Sequence, residues 1–73
     1  MKITYNPELD IVRIVFAPTP VDESDEEKPG VILDYDAEGN VVGLEILNAS
    51  SRMDTPWSVE YGISPQSGIA KAG

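Results

Sequence analysis

The sequence feature with the most specific chemistry is the acidic segment 34–45. Counted from its first residue, it carries acidic residues at the first, third, fifth and twelfth positions and a glycine at the sixth. Apart from the glutamate at the fifth position, this is the spacing of an EF-hand calcium loop, which needs alternate oxygen ligands, a sharp turn and a terminal bidentate glutamate. The candidate calcium ligands are Asp34, Asp36, Glu38 and Glu45.

The residues on either side of this segment argue against a calcium site. Segments 31–35 and 41–47 are rich in β-branched and large apolar residues without helical spacing, so both are predicted as strands. An EF-hand needs an exiting helix to swing its last glutamate inward, whereas Glu45 would project from a sheet. We therefore favour a solvated acidic hairpin turn without a cofactor, with a calcium-binding hairpin as the alternative.

A second acidic feature is the stretch 22–27, in which five of six side chains are carboxylates. Its negative potential would steer a basic protein at a rate that falls with salt. The same charges are equally typical of a solvated loop, or of an edge strand that resists edge-to-edge aggregation. Large aromatic residues in a polar tail either mark a binding surface or cover a sheet face within the chain. The candidate partner-binding residues are Asp22, Glu23, Asp25, Glu26, Glu27, Trp57 and Tyr61.

These acidic features lie among short predicted strands. Alternating residues in 2–5 and 11–16 flank the turn-forming segment 6–10, which predicts one hairpin, and prolines in the connection 17–20 end it. A second hairpin over 31–47 turns at Gly39, where a positive φ is commonly needed, so valine there should be destabilising. The sequence therefore predicts a mainly β fold, in which a single small antiparallel sheet is built from two hairpins in a meander.

The predicted sheet has one apolar face and one largely wet face. Alternation places Asp34 and Glu45 on the wet face. Segment 48–53 predicts at most one helical turn, and no amphipathic repeat is long enough to cover the sheet. The residues predicted to share the apolar face in the second hairpin are Val31, Leu33, Tyr35, Val42, Leu44 and Ile46.

The C-terminal part of the chain carries a different pattern. Apolar residues at every second position over 57–63 predict a late strand, either within the chain or on a neighbouring subunit. From residue 64 the composition turns to Ser, Gly, Ala, Pro and Lys without periodicity, which is typical of a disordered tail. We therefore predict one domain over 1–63 and a flexible end over 64–73.

The composition excludes most classes of function. The 73 residues contain no histidine and no cysteine, so the usual general base, thiol nucleophile and soft-metal ligands are missing, and we expect no enzyme. A net charge of -8 repels nucleic acid and anionic membranes. Without a membrane-span pattern or signal-peptide core, a cytoplasmic location is expected. A core of this size supplies only about 3 to 5 kcal/mol, so we expect support from self-association or from a partner protein.

Three segments of the sequence resemble a known family. They are MKITYNPE at 1–8, PGVILDYD at 29–36 and GLEILNAS at 43–50, and together they resemble the bacterial domain-of-unknown-function family 2283 over residues 1 to about 52. The resemblance implies a small β-rich cytosolic protein without established activity, and some relatives look like the partner half of two-gene toxin and antitoxin pairs. It brings no catalytic residues. The chain departs from the family pattern in its acidic segment 21–27 and after Arg52.

The function expected from these observations is protein binding without catalysis. The apolar sheet face would supply affinity, and the acidic stretch would supply approach rate and discrimination toward a basic partner, as an antitoxin-like or regulatory protein requires. Two alternatives stay open, namely a purely structural homo-oligomer and the calcium-binding hairpin. Binding to a basic partner should weaken with salt, whereas a hydrophobic homodimer should not.

Overall fold

The computed structural model describes residues 1–65, which form a single antiparallel sheet followed by one short helix. The mainly β fold predicted from the sequence is confirmed. The predicted flexible end over 64–73 lies almost wholly outside the described residues. Within 1–65, no helix has the length and apolar character needed to cross a membrane. The elements are β1 (Lys2–Asn6), β2 (Ile11–Val15), β3 (Glu23–Lys28), β4 (Val31–Tyr35), β5 (Val41–Leu47) and α1 (Ala49–Arg52).

The strand order in the sheet is β1-β2-β5-β4-β3, and every neighbouring pair is antiparallel. Strands β3, β4 and β5 form a meander, and the β1–β2 hairpin joins it through pairing of β2 with β5. The segment 16–22 between β2 and β3, called the crossing connection below, therefore passes β5 and β4 to reach the far edge. Local turns predicted both hairpins, but the β2–β5 pairing joins distant segments and has no local signal.

The turn between β1 and β2 is shaped by two short polar side chains. The side-chain oxygen of Asn6 accepts a hydrogen bond from the N–H of Leu9 at 3.0 Å. Asp10 ends the turn with a φ of 57°, a left-handed conformation that aspartate tolerates better than most residues. The turn fixes the register of the hairpin, in which Tyr5 lies opposite Val12.

The turn between β4 and β5 is organised by Asp36. Its carboxylate accepts hydrogen bonds from the N–H groups of Glu38 and Asn40, both at 2.9 Å. Gly39 adopts a φ of 84°, which confirms the predicted positive value. Beyond the turn, the β4–β5 register shifts so that Val42 is an additional residue on β5.

The acidic stretch 22–27 supplies most of edge strand β3, and all six residues of this strand are exposed. Of the predicted alternatives for this segment, a charged edge strand is therefore the conformation observed. The turn from β3 to β4 is made by Gly30, whose φ is 81°. This φ favours glycine, and an added Cβ there would also lie 2.6 Å from Nη2 of Arg52 and displace the end of that side chain. Arg52 also donates from Nη2 to the carbonyl oxygen of Pro29 at 2.7 Å.

The predicted single helical turn is confirmed as α1, which follows β5 directly. The predicted strand over 57–63 does not form within the chain, where these residues have no regular secondary structure. Alternation describes only where side chains point, whereas a strand also needs a sheet edge that bonds to its backbone. The alternative that this segment pairs with a neighbouring subunit stays a prediction.

Two residues lie differently from the predicted division of the sheet faces. Val42 was assigned to the apolar face, but as the additional residue of the bulge it lines a cavity with Arg13 and Asp34. Asp34 was assigned to a wet face, yet only 2% of its surface is exposed. The bulge turns Val42 away from the apolar face, and the crossing connection covers both residues, because residues 17–21 line that same cavity of about 300 Å³.

Candidate functional site

One face of the sheet, called the open face, carries two rows of apolar side chains across four strands. The strand register places Ile3, Ile14, Leu44 and Leu33 in one row, and Tyr5, Val12, Ile46 and Val31 in the other. Residues that lie opposite each other on neighbouring strands point to the same face, so the eight side chains form one continuous surface. Four of them, on β4 and β5, confirm the predicted apolar face, and the other four extend it to β1 and β2.

The open face is poorly covered by the rest of the described chain. Of its eight side chains only Val12 is buried, with 4% of its surface exposed, whereas Ile3 is 37% exposed. The other six are half-buried. No large side chain in residues 1–65 is fully buried, so the described part of the chain has no closed hydrophobic core.

Carboxylates border the open face along β3. Asp25 lies opposite Leu33, at the end of one apolar row, and Glu23 lies opposite Tyr35. Glu27 Oε2 accepts a hydrogen bond from the Tyr35 hydroxyl at 3.1 Å. This bond, partial burial and the charges of the three carboxylates raise the pKa of Tyr35, as expected if all three face it. We call Glu23, Asp25 and Glu27 the acidic rim.

The other predicted partner-binding residues are also exposed, but they lie in different places. Asp22 precedes β3, and Glu26 lies opposite Ile32 and so points to the other face of the sheet, where its Oε2 accepts from the N–H of Gly30. Trp57 is 68% exposed and Tyr61 is 74% exposed. Tyr61 lines a shallow depression with Met1 and Ile3, beside the open face at β1. At this exposure neither aromatic ring is a buried side chain of the sheet, and a binding role for them stays a prediction.

The opposite face of the sheet, called the polar face, contains the buried carboxyl group of Asp34. Its Oδ1 accepts a hydrogen bond from the Ser24 hydroxyl at 2.7 Å. Its Oδ2 lies over Gly43, where an added Cβ would be 3.4 Å from that oxygen and 2.8 Å from the carbonyl oxygen of Ile14. Gly43 thus provides the space in which a carboxyl group is buried within the sheet.

A second carboxyl group lies beside Asp34 on the polar face. Burial, a hydrogen bond to Asp34 and the charge of Asp34 raise the pKa of Glu45 above its usual range, and Arg13 opposes the shift. Arg13 lies directly opposite Glu45 on the neighbouring strand. A raised pKa is the expected consequence of placing a second carboxyl group close to the first in a partly buried site.

The four candidate calcium ligands are not arranged as a calcium loop. Asp34 and Glu45 lie on the polar face, whereas Asp36 directs both carboxylate oxygens at donors within its own turn, including the Asn40 side chain at 3.1 Å. Glu38 is exposed at the tip of the turn. Within residues 1–65, no group of three or more acidic, histidine or cysteine side chains is placed to hold a metal ion.

Sequence reasoning treated Asp10 only as a turn residue and missed its tertiary contacts. Its carboxylate accepts hydrogen bonds from the Tyr5 hydroxyl at 2.8 Å and from the N–H and hydroxyl of Ser50 at 2.9 and 2.7 Å. These bonds, led by the Ser50 hydroxyl, lower the pKa of Asp10, and the bond to Asp10 raises the pKa of Tyr5. Asp10 and Ser50 are separated by 40 residues, so no local pattern indicates the contact.

Comparison with known proteins adds a family but no activity. A family model described as "Protein of unknown function (DUF2283)" matches residues 2–50. No curated protein and no solved structure is significantly similar to the chain. The matched residues run from the first residue of β1 to the second residue of α1, so they include the whole sheet and the Asp10–Ser50 contact.

Proposed function

The chain belongs to the DUF2283 family, whose function is unknown, and we propose that it binds another protein chain through the open face without catalysing a reaction. One observation carries the proposal: the eight apolar side chains of the open face form a continuous surface of which only Val12 is buried.

The physical basis is that a sheet with one apolar face must bury that face against another layer. Helix α1 has only four residues and supplies no such layer. Burying an aliphatic side chain fully contributes about 1.5 to 3 kcal/mol, and the open face still has most of this stabilisation to gain. A second protein layer would complete the core that the described chain lacks.

A role in binding also agrees with the chemistry of the remaining polar groups. Asp34 accepts a hydrogen bond from Ser24, and Glu45 lies opposite Arg13 on the neighbouring strand, which favours a structural role for this pair over an acid–base role. The chain has no histidine or cysteine. The acidic rim has the sign of charge that an inhibitor of a cationic toxin needs, so an antitoxin-like protein is one specific form of this proposal.

A homo-oligomer is the second candidate function, because two open faces packed against each other would also bury both sets of apolar rows. It differs from the first candidate in the identity of the second layer, and it requires no other gene product. The expected response to salt also differs, since screening weakens attraction to a basic partner and reduces repulsion between two copies of charge -8.

The test compares the wild-type chain with two charge insertions on the same edge strand. Ile3→Glu places a carboxylate on the open face, and Thr4→Glu places one on the polar face, where Thr4 is also exposed. Each protein, checked by circular dichroism, is measured by light scattering over a concentration series and is used to capture proteins from a lysate of its source organism. We expect Ile3→Glu to abolish the stoichiometric contact and Thr4→Glu to retain it. If Ile3→Glu behaves as the wild type does, the open face is not a binding surface.

A further inference from the structure

The two long borders of the open face differ in chemistry. On the β3 side, the apolar row that begins at Ile3 ends at Leu33. Asp25 lies opposite Leu33 on β3, and the other carboxylates of the acidic rim lie along the same strand. The one cation on that strand, Lys28, lies opposite Val31 at the end of the other row. On the β1 side the border is formed by Met1, Ile3 and Tyr61. An occupant that matches both borders is apolar in its centre and basic along one flank.

The backbone of the occupant is restricted by what the open face offers. The face presents side chains, and the backbone groups of its inner strands are already paired in the sheet. An extended segment lying on the face would leave its own N–H and C=O groups without partners, whereas a helix satisfies them internally. The four positions of one apolar row span about 14 Å at the usual strand spacing, which one helix of about 10 Å diameter covers for the most part.

The charge of the chain disfavours a second copy as the occupant. Each copy carries a net charge of -8, and five carboxylates lie in the six residues 22–27. Packing two such chains face to face would bring both net charges together, which opposes their association. A basic segment would instead pair with the rim while its apolar side chains cover the rows.

We propose that the open face binds a basic amphipathic helix of a partner protein, with the apolar stripe on the rows and lysine or arginine side chains along the acidic rim. This inference rests on the proposed function, because it names the partner of the same surface. The aromatic side chain of Tyr61, beside Ile3, closes the border opposite the rim. The mode is that of an amphipathic helix laid in a hydrophobic groove.

The experiment titrates the full chain with three synthetic peptides of equal length. The first has a leucine stripe flanked by lysines, the second has the same stripe flanked by glutamates, and the third is a scrambled version of the first without a stripe. Backbone amide chemical shifts locate binding, and the fluorescence of the single tryptophan gives a second readout. We expect the lysine-flanked peptide to bind at least about tenfold more tightly than the glutamate-flanked one, to weaken with salt, and to shift amides of β2 and β5. The scrambled peptide should not shift these amides.

A pair of triple variants isolates the contribution of the rim. Both lose three exposed carboxylates, so their net charge is equal, but only one loses them from the acidic rim. We expect the rim variant to bind the lysine-flanked and glutamate-flanked peptides with similar affinity, and the control variant to keep the preference. The rim variant is Glu23→Gln, Asp25→Asn and Glu27→Gln, and the control is Glu8→Gln, Glu38→Gln and Asp54→Asn.

Several outcomes would overturn the inference, and they are distinguishable from failure of the proposed function. Equal affinity of the wild type for both striped peptides would mean that the rim does not select the partner. If no peptide binds while the chain self-associates in a way that Ile3→Glu abolishes, the occupant is a second copy and the proposed function stands. If neither peptides nor an Ile3-dependent contact is found, both proposals fail.

Discussion

The two faces of the sheet differ in how far they bury their polar and apolar side chains. On the polar face, the carboxyl group of Asp34 is only 2% exposed and bonds to Ser24. On the open face, aliphatic side chains remain half-buried, and Ile3 is 37% exposed. The crossing connection therefore buries a carboxyl group on one face, while most of the aliphatic side chains on the other face keep part of their surface exposed.

The comparison shows that the buried carboxyl group of the polar face has a hydrogen-bond partner within the chain, whereas the apolar rows of the open face lack a covering layer. A buried carboxyl group costs free energy unless it is hydrogen-bonded, and the polar face supplies those bonds. Exposed aliphatic rows cost free energy that only a further layer can recover. Substitutions on the polar face should therefore change the stability of the isolated chain, and substitutions on the open face should chiefly change binding.

The largest loss of stability is expected from a substitution at Gly43, which lies beside the buried carboxyl group of Asp34. In Gly43→Val, the new Cβ would lie 2.8 Å from the carbonyl oxygen of Ile14, so backbone must shift. We expect a loss of about 2 to 3 kcal/mol in the free energy of unfolding, measured by urea denaturation. Gly62→Val is the matched control, because an added Cβ there meets nothing within 4 Å. Equal effects of the two substitutions would contradict the tight packing at Gly43.

A smaller loss is expected when the buried carboxyl group itself is removed. Asp34→Ala takes away the acceptor of the Ser24 hydroxyl and the partner of Glu45. We expect a loss of about 1 to 2 kcal/mol in the free energy of unfolding at neutral pH. Ser24→Ala removes only one donor and should cost less. A stabilising Asp34→Ala substitution would show that burial of the carboxyl group outweighs its hydrogen bonds.

The carboxyl pair also predicts how stability depends on pH. Because the pKa of Glu45 is raised by folding, the folded state retains its proton longer, and stability falls as pH rises from the ordinary value of 4.5 through the raised value. Glu45→Gln removes the titrating group, so it should remove this fall. The measurement is the urea midpoint between pH 4.5 and 8 for both proteins. Parallel curves would show that Glu45 does not cause the dependence.

The smallest loss of stability is expected from a substitution at Ile3, an exposed side chain of the open face. Ile3→Ser at low protein concentration should lower the free energy of unfolding by roughly 0.5 kcal/mol, since the side chain is already exposed and lies on an edge strand. Val12→Ala, in the same face but buried, should cost about 1 to 2 kcal/mol. A large loss for Ile3→Ser would mean that the open face is already covered in the isolated chain.

The sequence predicts those features that depend on neighbouring residues. The turn at Gly39 and the proline-bounded end of the first hairpin are local, so both hairpins and the half of the open face on β4 and β5 could be predicted. The pairing of β2 with β5, the burial of Asp34 and the contact of Asp10 with Ser50 each join distant segments. The calcium-like spacing of segment 34–45 is misleading for the same reason, because a bulge and the sheet register decide where its carboxylates point.

The sheet consists of a two-stranded ribbon, β1 and β2, and a three-stranded meander, β3 to β5. The ladder of hydrogen bonds between β2 and β5 joins these two parts. Asp10 fastens the two parts, because its carbonyl and carboxylate oxygens accept three hydrogen bonds from Ala49 and Ser50. A two-stranded ribbon is barely stable alone, so separation along this ladder would release β1 and β2 together. Their amide hydrogens would then exchange with deuterated solvent as one cooperative unit, ahead of those shared by β4 and β5.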